Sequence, residues 1–222
     1  IQPGYLARNN KVFYSERLTD IDAASLEIFD GYYARDKNAL YYEGNKTEIS
    51  STNSFVALGN GYAKDLQKIY FAGMLIENAD PDTFKQLRKG YAIDKDHVYL
   101  LNEIFPEADP ATFIPLDNGY AKDKDNAYYR GKIITAADAA SFELLNVAYS
   151  KDKQAVYHFA QPLEGADAAT FKVLNSFYAL DHQSVYYHGQ IIREADPKTF
   201  EVIESTEHMP SGYAKDSRHV YR

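Results

Sequence analysis

A phrase that opens on tyrosine recurs through this chain at a fixed interval. Tyr33, Tyr62, Tyr91, Tyr120, Tyr149 and Tyr178 each stand 29 residues after the last. Tyr5 precedes the series by 28 residues and Tyr213 follows it by 35. A unit this small cannot bury its own apolar face, so a period of this size requires stacked neighbours that cover one another. The unbroken register argues for one repeat domain, 1–222. Its units lie near 5–32, 33–61, 62–90, 91–119, 120–148, 149–177 and 178–212, with a capping hairpin at 213–222.

Each unit reads as chemistry in the same order. Tyr62-Ala63-Lys64-Asp65 alternates like a short strand, and the aspartate then caps nearby amides in an Asx-turn. The β-branched and aromatic triplet Ile69-Tyr70-Phe71 reads as the central strand. Gly44, Gly73, Gly131 and Gly189, with Asn102 in another copy, mark a second tight turn. A short apolar pair such as Leu75-Ile76 completes a three-stranded meander. The phrase Asp80-Pro81-Asp82-Thr83-Phe84 has an N-cap followed by proline and predicts a helix of roughly two turns, docked through Phe84 and Leu87. The expected fold is therefore α+β: a tandem-repeat solenoid of about seven 29-residue units, each a β-meander plus a short helix. A closed, propeller-like ring is the alternative.

Tyrosine is the compositional outlier, at 20 of 222 residues, with no Trp and no Cys. Alternation predicts a ladder of Tyr70, Tyr99, Tyr128, Tyr157 and Tyr186, which serves either as stacking glue or as a solvated surface for glycan. The first copy carries Asn9 and Asn10 where Asp-Lys is usual, and an irregular insertion occupies 205–210. A formal charge of −8 opposes nucleic-acid binding and favours a basic protein partner. No apolar run of 18 residues is present to span a membrane. Because the sequence begins at Ile1, an upstream export segment is expected to have been removed, which points to the periplasm or cell envelope.

The strings Asp123-Lys124-Asp125-Asn126-Ala127-Tyr128-Tyr129 and Asp36-Lys37-Asn38-Ala39-Leu40-Tyr41-Tyr42 resemble the bacterial DKNYY family, over nearly the whole chain from Tyr5 to Arg222. Phe71, Leu100 and His158 depart from the second tyrosine. The resemblance implies exported or envelope-associated proteins, brings no catalytic residues with it, and suggests immunity partners of secreted toxins.

No reaction is legible. The histidines lack ligand spacing, and Asp94 or Asp123 is followed at the twelfth loop position by Phe105 or Ile134 where a calcium loop needs glutamate. No nucleophile elbow or cysteine is present, and no cofactor or metal is expected. Scaffold residues must repeat whereas a site need not, so partner-binding candidates are sought where copies differ. These are Leu100, Leu101, Glu103 and Phe105; His158 and Phe159; and Glu207, His208 and Met209. The expected function is non-enzymatic protein binding, as an immunity protein neutralising a secreted toxin or effector. Envelope glycan binding and structural assembly are the alternatives.

Overall fold

The computed structural model describes residues 4–50, 54–203 and 212–222. These residues form eight small antiparallel sheets in chain order. A representative sheet is built from Lys85–Gln86, Tyr91–Ile93, Val98–Leu100 and Glu103–Phe105, hydrogen-bonded in that order. Tyr91 pairs with Leu100, Val98 with Phe105, and Lys85 with Ile93. We call the four strands leading, tyrosine, central and closing. The first and last sheets have three strands each.

The structure corrects the α+β expectation. Among the described residues there is no α-helix, only a 3-10 turn at Ala23–Ser25. The aspartate cap forms as expected, with Asp82 N donating to Asp80 Oδ1 at 2.9 Å and Phe84 N to Asp80 O at 3.0 Å. The chain then leaves the turn, and Lys85–Gln86 becomes the leading strand of the next sheet. Two forces decide this. A two-turn helix is below the length at which propagation repays nucleation. The next tyrosine strand meanwhile has an open edge whose amides need partners. Leu87, expected on a helical face, instead donates its N–H to Tyr91 O at 2.8 Å.

The chain divides into two compact units, Ile1–Ala111 and Thr112–Arg222. Within each unit, successive sheets pack face to face. In the first unit, Tyr62 and Ile69 of one sheet share a cluster with Ala92 and Tyr99 of the next. In the second, Tyr149 and Val156 pack with Ala179 and Tyr186, and Phe171 fills the space between them. The Phe171 ring lies 5.3 Å from Tyr149 and 5.6 Å from Tyr186. The phenylalanine of the capped turn thus buries its ring as expected, from a turn and not from a helix. The ladder tyrosines are buried and not solvated.

Their hydroxyls explain the recurring aspartate. Asp94 Oδ1 accepts from Asp96 N and His97 N at 2.8 and 2.7 Å. Its Oδ2 accepts from Asp80 N at 2.9 Å and from the Tyr99 hydroxyl at 2.6 Å. One buried carboxylate therefore closes the Asx-turn, anchors the preceding capped turn and satisfies the buried tyrosine. The same tyrosine bond recurs from Tyr41 to Asp36, Tyr70 to Asp65, Tyr128 to Asp123, Tyr157 to Asp152, Tyr186 to Asp181 and Tyr221 to Asp216. The first copy confirms the coupling by losing both partners. Its register pairs Arg8 with Lys11 across an Asn9-Asn10 turn, which corrects the sequence alignment: Arg8, not Asn9, stands at the aspartate position, and Phe13 at the tyrosine position. With the carboxylate gone the hydroxyl is gone too.

Asp94→Ala leaves four donors without their acceptor and is expected to cost about 2–4 kcal/mol, read as a lowered urea midpoint. Tyr99→Phe should cost less, about 1–2 kcal/mol, because the carboxylate keeps its backbone donors. Burial pushes the carboxyls of Asp36, Asp65, Asp94, Asp152 and Asp181 upward, but the donors around them outweigh it and hold all five below the usual range. A depressed folded value contributes stability above the unfolded value of about 3.9, which is lost as pH falls through the folded one. Urea midpoints should be flat above about pH 5 and fall steeply below about pH 4.

Candidate functional site

The central and closing strands are joined by a two-residue turn, and its first residue differs from copy to copy: Glu43, Ala72 and Leu101 in the first unit, Arg130, Phe159 and His188 in the second. All six have positive φ, between 45° and 59°. Gly44, Gly73, Gly131 and Gly189 follow with φ of 75–80°. Positive φ at both central positions is the primed hairpin turn that matches strand twist. Each variable residue donates its N–H to the carbonyl that precedes the repeat's tyrosine, as Ala72 does to Gly61 O at 2.8 Å and His188 to Phe177 O at 2.9 Å.

Several turns are also held from behind by the preceding copy of the same unit. The Tyr33 hydroxyl donates to Gly61 O and accepts from Gly73 N, both at 2.9 Å, so it sits at the base of the next hairpin. Tyr5 does the same with Tyr32 O and Gly44 N, and Tyr149 accepts from Gly189 N. The last residue of the central strand lies against the next turn as well at Tyr14, Tyr42 and His158. A Cβ on Gly189 would come 2.5 Å from His158 Nδ1, so glycine is needed there for contact as well as for φ. The result within each unit is a row of turns, fixed in position, whose leading side chains are free to vary.

Phe159 is the extreme member of this row. It is 44% exposed with φ 45°, and its turn partner is Ala160 at φ 64° where four other copies have glycine. Left-handed backbone costs an ordinary residue about 1–2 kcal/mol. Behind this turn Ser150 replaces the alanine of the Tyr-Ala-Lys phrase. Ser150 Oγ and the Tyr120 hydroxyl are both buried without a well-formed hydrogen bond. Burial raises the Tyr120 hydroxyl above its ordinary value and keeps it protonated. Two left-handed residues without glycine, found also at Ser15 and Glu16, are here combined with buried hydroxyls that lack good partners, behind the hairpin that presents phenylalanine to solvent.

Of the residues singled out by sequence, Leu101 occupies the same turn position and is also 44% exposed, and Leu100 ends the adjoining strand. Glu103 is exposed on the closing strand opposite Leu100. Phe105 is buried and belongs to the core, a correction to its place among surface candidates. His158 is half-buried, with its ring 4.9 Å from Tyr149 and 4.7 Å from Phe159. The pair Leu100 and Leu101 lies in one compact unit and the pair His158 and Phe159 in the other. Glu207, His208 and Met209 lie outside the described residues. Arg130, His188 and Phe177 were missed by sequence reasoning. For Arg130 and His188 the signal was available, since the residue before the turn glycine is Glu, Ala, Arg or His in different copies.

The recurring surface cations form no stripe. Lys37 pairs with Asp22 at 2.9 Å and Lys153 with Asp138 at 3.0 Å, and His182 replaces lysine opposite Asp167 at 2.8 Å. Where the sequence has Ser51 in place of the cap aspartate, the lysine position holds Leu66. Among the described residues no group of three or more His, Asp or Glu is placed to hold a metal ion. No helix among them is long and apolar enough to cross a membrane.

The molecule belongs by its architecture to the tandem β-sheet repeat proteins, with variable side chains carried on invariant hairpins. More specifically it is a member of the DKNYY family, whose sequence profile matches residues 62–117 and 108–222. Comparison with curated proteins and with solved structures gave no match.

Replacing Ser150 with alanine restores the phrase used by the other copies and removes a buried hydroxyl that lacks a good partner. Ser150→Ala is expected to leave stability unchanged or raise it by up to about 1 kcal/mol in urea unfolding.

Proposed function

We propose that this protein is a non-enzymatic binding array that recognises another protein through its row of hairpin turns. Phe159 carries the reading. An exposed phenylalanine on left-handed backbone, beside a second left-handed residue that is not glycine, is poor design for a turn alone. Asparagine-glycine would form the same turn with less strain. Local strain that stability does not reward marks a position used for something else. Leu101 supports the reading as a second bulky apolar residue, exposed at the same position of a hairpin turn. The rest of each copy is committed to the aspartate hub and the tyrosine clamp, so a partner can be matched at the turns without disturbing the core.

The expected partner is a secreted effector or toxin met outside the cytoplasm, which the array would neutralise by covering its surface. The family membership is compatible with this role. A glycan-binding role by way of the tyrosine ladder loses its basis, because those rings are buried and their hydroxyls are committed to aspartate.

Capture of proteins from the native organism, compared between the wild-type chain and Phe159→Asn, tests the proposal. One stoichiometric partner should remain on wild type and fall at least about tenfold on the variant, which matches removal of a central interface anchor. The variant's urea midpoint should be unchanged or raised, since asparagine tolerates positive φ better than phenylalanine. Equal retention on both chains would remove the turn row from the function.

A further inference from the structure

The edge formed by the hairpins of the Thr112–Arg222 unit differs in chemistry from the rest of the molecule. The segments 117–119, 129–132, 146–148, 158–161, 175–177 and 187–190 bring Arg130, Lys132, His158 and His188 to this edge, and Asp117 is the only acidic residue among them. The whole chain has the opposite balance, with 32 acidic against 24 basic residues. Aromatic rings lie between the cations. Arg130 lies over the Tyr129 ring at 5.2 Å. His188 stands 4.5 Å from Tyr187 and 5.4 Å from Phe177. His158 joins the members, since its ring packs on Phe159 and against the turn that carries His188.

We propose that this edge reads an acidic segment of a partner protein whose carboxylates alternate with apolar side chains. The proposal rests on the reading of the turn row as the binding surface, and it names the chemistry that row accepts. Carboxylates would meet Arg130, His158 and His188, while Phe159 and Phe177 supply apolar contact between them. The negative charge of the chain as a whole argues for a basic partner, but it acts at long range and is screened over roughly 10 Å at moderate salt. At contact the local cations decide. A long polyanion such as nucleic acid would extend beyond this edge into the acidic surroundings, whereas a short segment feels the edge alone.

His158 makes the surface responsive to acid. Burial, and then the nearby His188, hold His158 below the ordinary histidine range, so it is uncharged at neutral pH. The groups that bear on it are the Tyr149 and Phe159 rings and the turn carrying His188. Around His188 stand Tyr187 and Phe177. Protonation adds positive charge to the surface, so affinity for carboxylates rises as pH falls.

The test is fluorescence anisotropy of the full chain with two labelled synthetic peptides of about a dozen residues. One alternates glutamate with phenylalanine or leucine, and the other has lysine in place of glutamate. The acidic peptide should bind at least about tenfold more tightly, with an advantage that grows as pH falls from about 7 to about 5 and shrinks with added salt. The double variant Arg130→Glu with His188→Glu should abolish that preference at an unchanged urea midpoint. Equal binding of the two peptides, preference for the lysine peptide, binding of neither, or an acidic preference that survives the double variant would each overturn the proposal. Tighter binding of a single-stranded oligonucleotide than of the acidic peptide would also overturn it. None of these outcomes bears on the Phe159→Asn capture experiment, so failure of the chemistry and failure of the turn row are separable.

Discussion

One buried carboxylate per repeat organises this protein. Taking a charge out of water is costly unless it is surrounded by donors. At Asp152 and Asp181, for example, the carboxylate is surrounded by backbone N–H groups of its own turn, the N–H of the preceding capped turn and a tyrosine hydroxyl. That single atom group joins three stretches of chain that would otherwise be unrelated. It lets a sheet of four very short strands hold a definite shape although neither strand pairing nor packing would suffice alone. The coordinated loss at Arg8 and Phe13 shows that hub and hydroxyl operate as one device.

The tyrosine clamp links such sheets in series within each compact unit. A ring buried in one sheet places its hydroxyl between a carbonyl and an amide of the next, at the base of a hairpin. Ring stacking fills the space and the hydroxyl sets the distance, so tyrosine does here what neither leucine nor phenylalanine could. This accounts for a chain rich in tyrosine and empty of tryptophan. It also frees the tip of every hairpin from structural duty, and that is where the copies diverge.

Much of this was legible in the residues. The Asx-turn after each aspartate, the central strand at Ile69 to Phe71, the tight turn at Gly73 and the capped turn at Asp80 all stand where spacing put them. The helix after Asp80 was not there, and the reason is instructive. Phe84 and Leu87 have helical spacing, but three intervening bonds fit a turn followed by a strand equally well, and only the open edge of the next copy chose between them. Edge satisfaction is a property of neighbours and does not show within one repeat. Phe105 misled for a related reason. It looked irregular beside the Ile-Ile pairs of other copies, yet its closing strand turns it inward opposite Val98. Burial of Phe105 follows from pairing, while exposure of Phe159 follows from a turn conformation that no propensity would have assigned to it.

The leading strand of every four-stranded sheet lies before the tyrosine that opens its sequence copy, as Glu143–Leu144 does for Tyr149–Lys151. The sequence repeat and the folded repeat are thus the same period in different phase. The covalent chain itself is the fastener between neighbours, because each sheet after the first borrows a strand from the tail of the copy before it. Anyone shortening, lengthening or fusing this array should therefore place the junction ahead of the leading strand. A junction at the tyrosine, where the eye finds the repeat, would take one edge from the sheet it was meant to preserve.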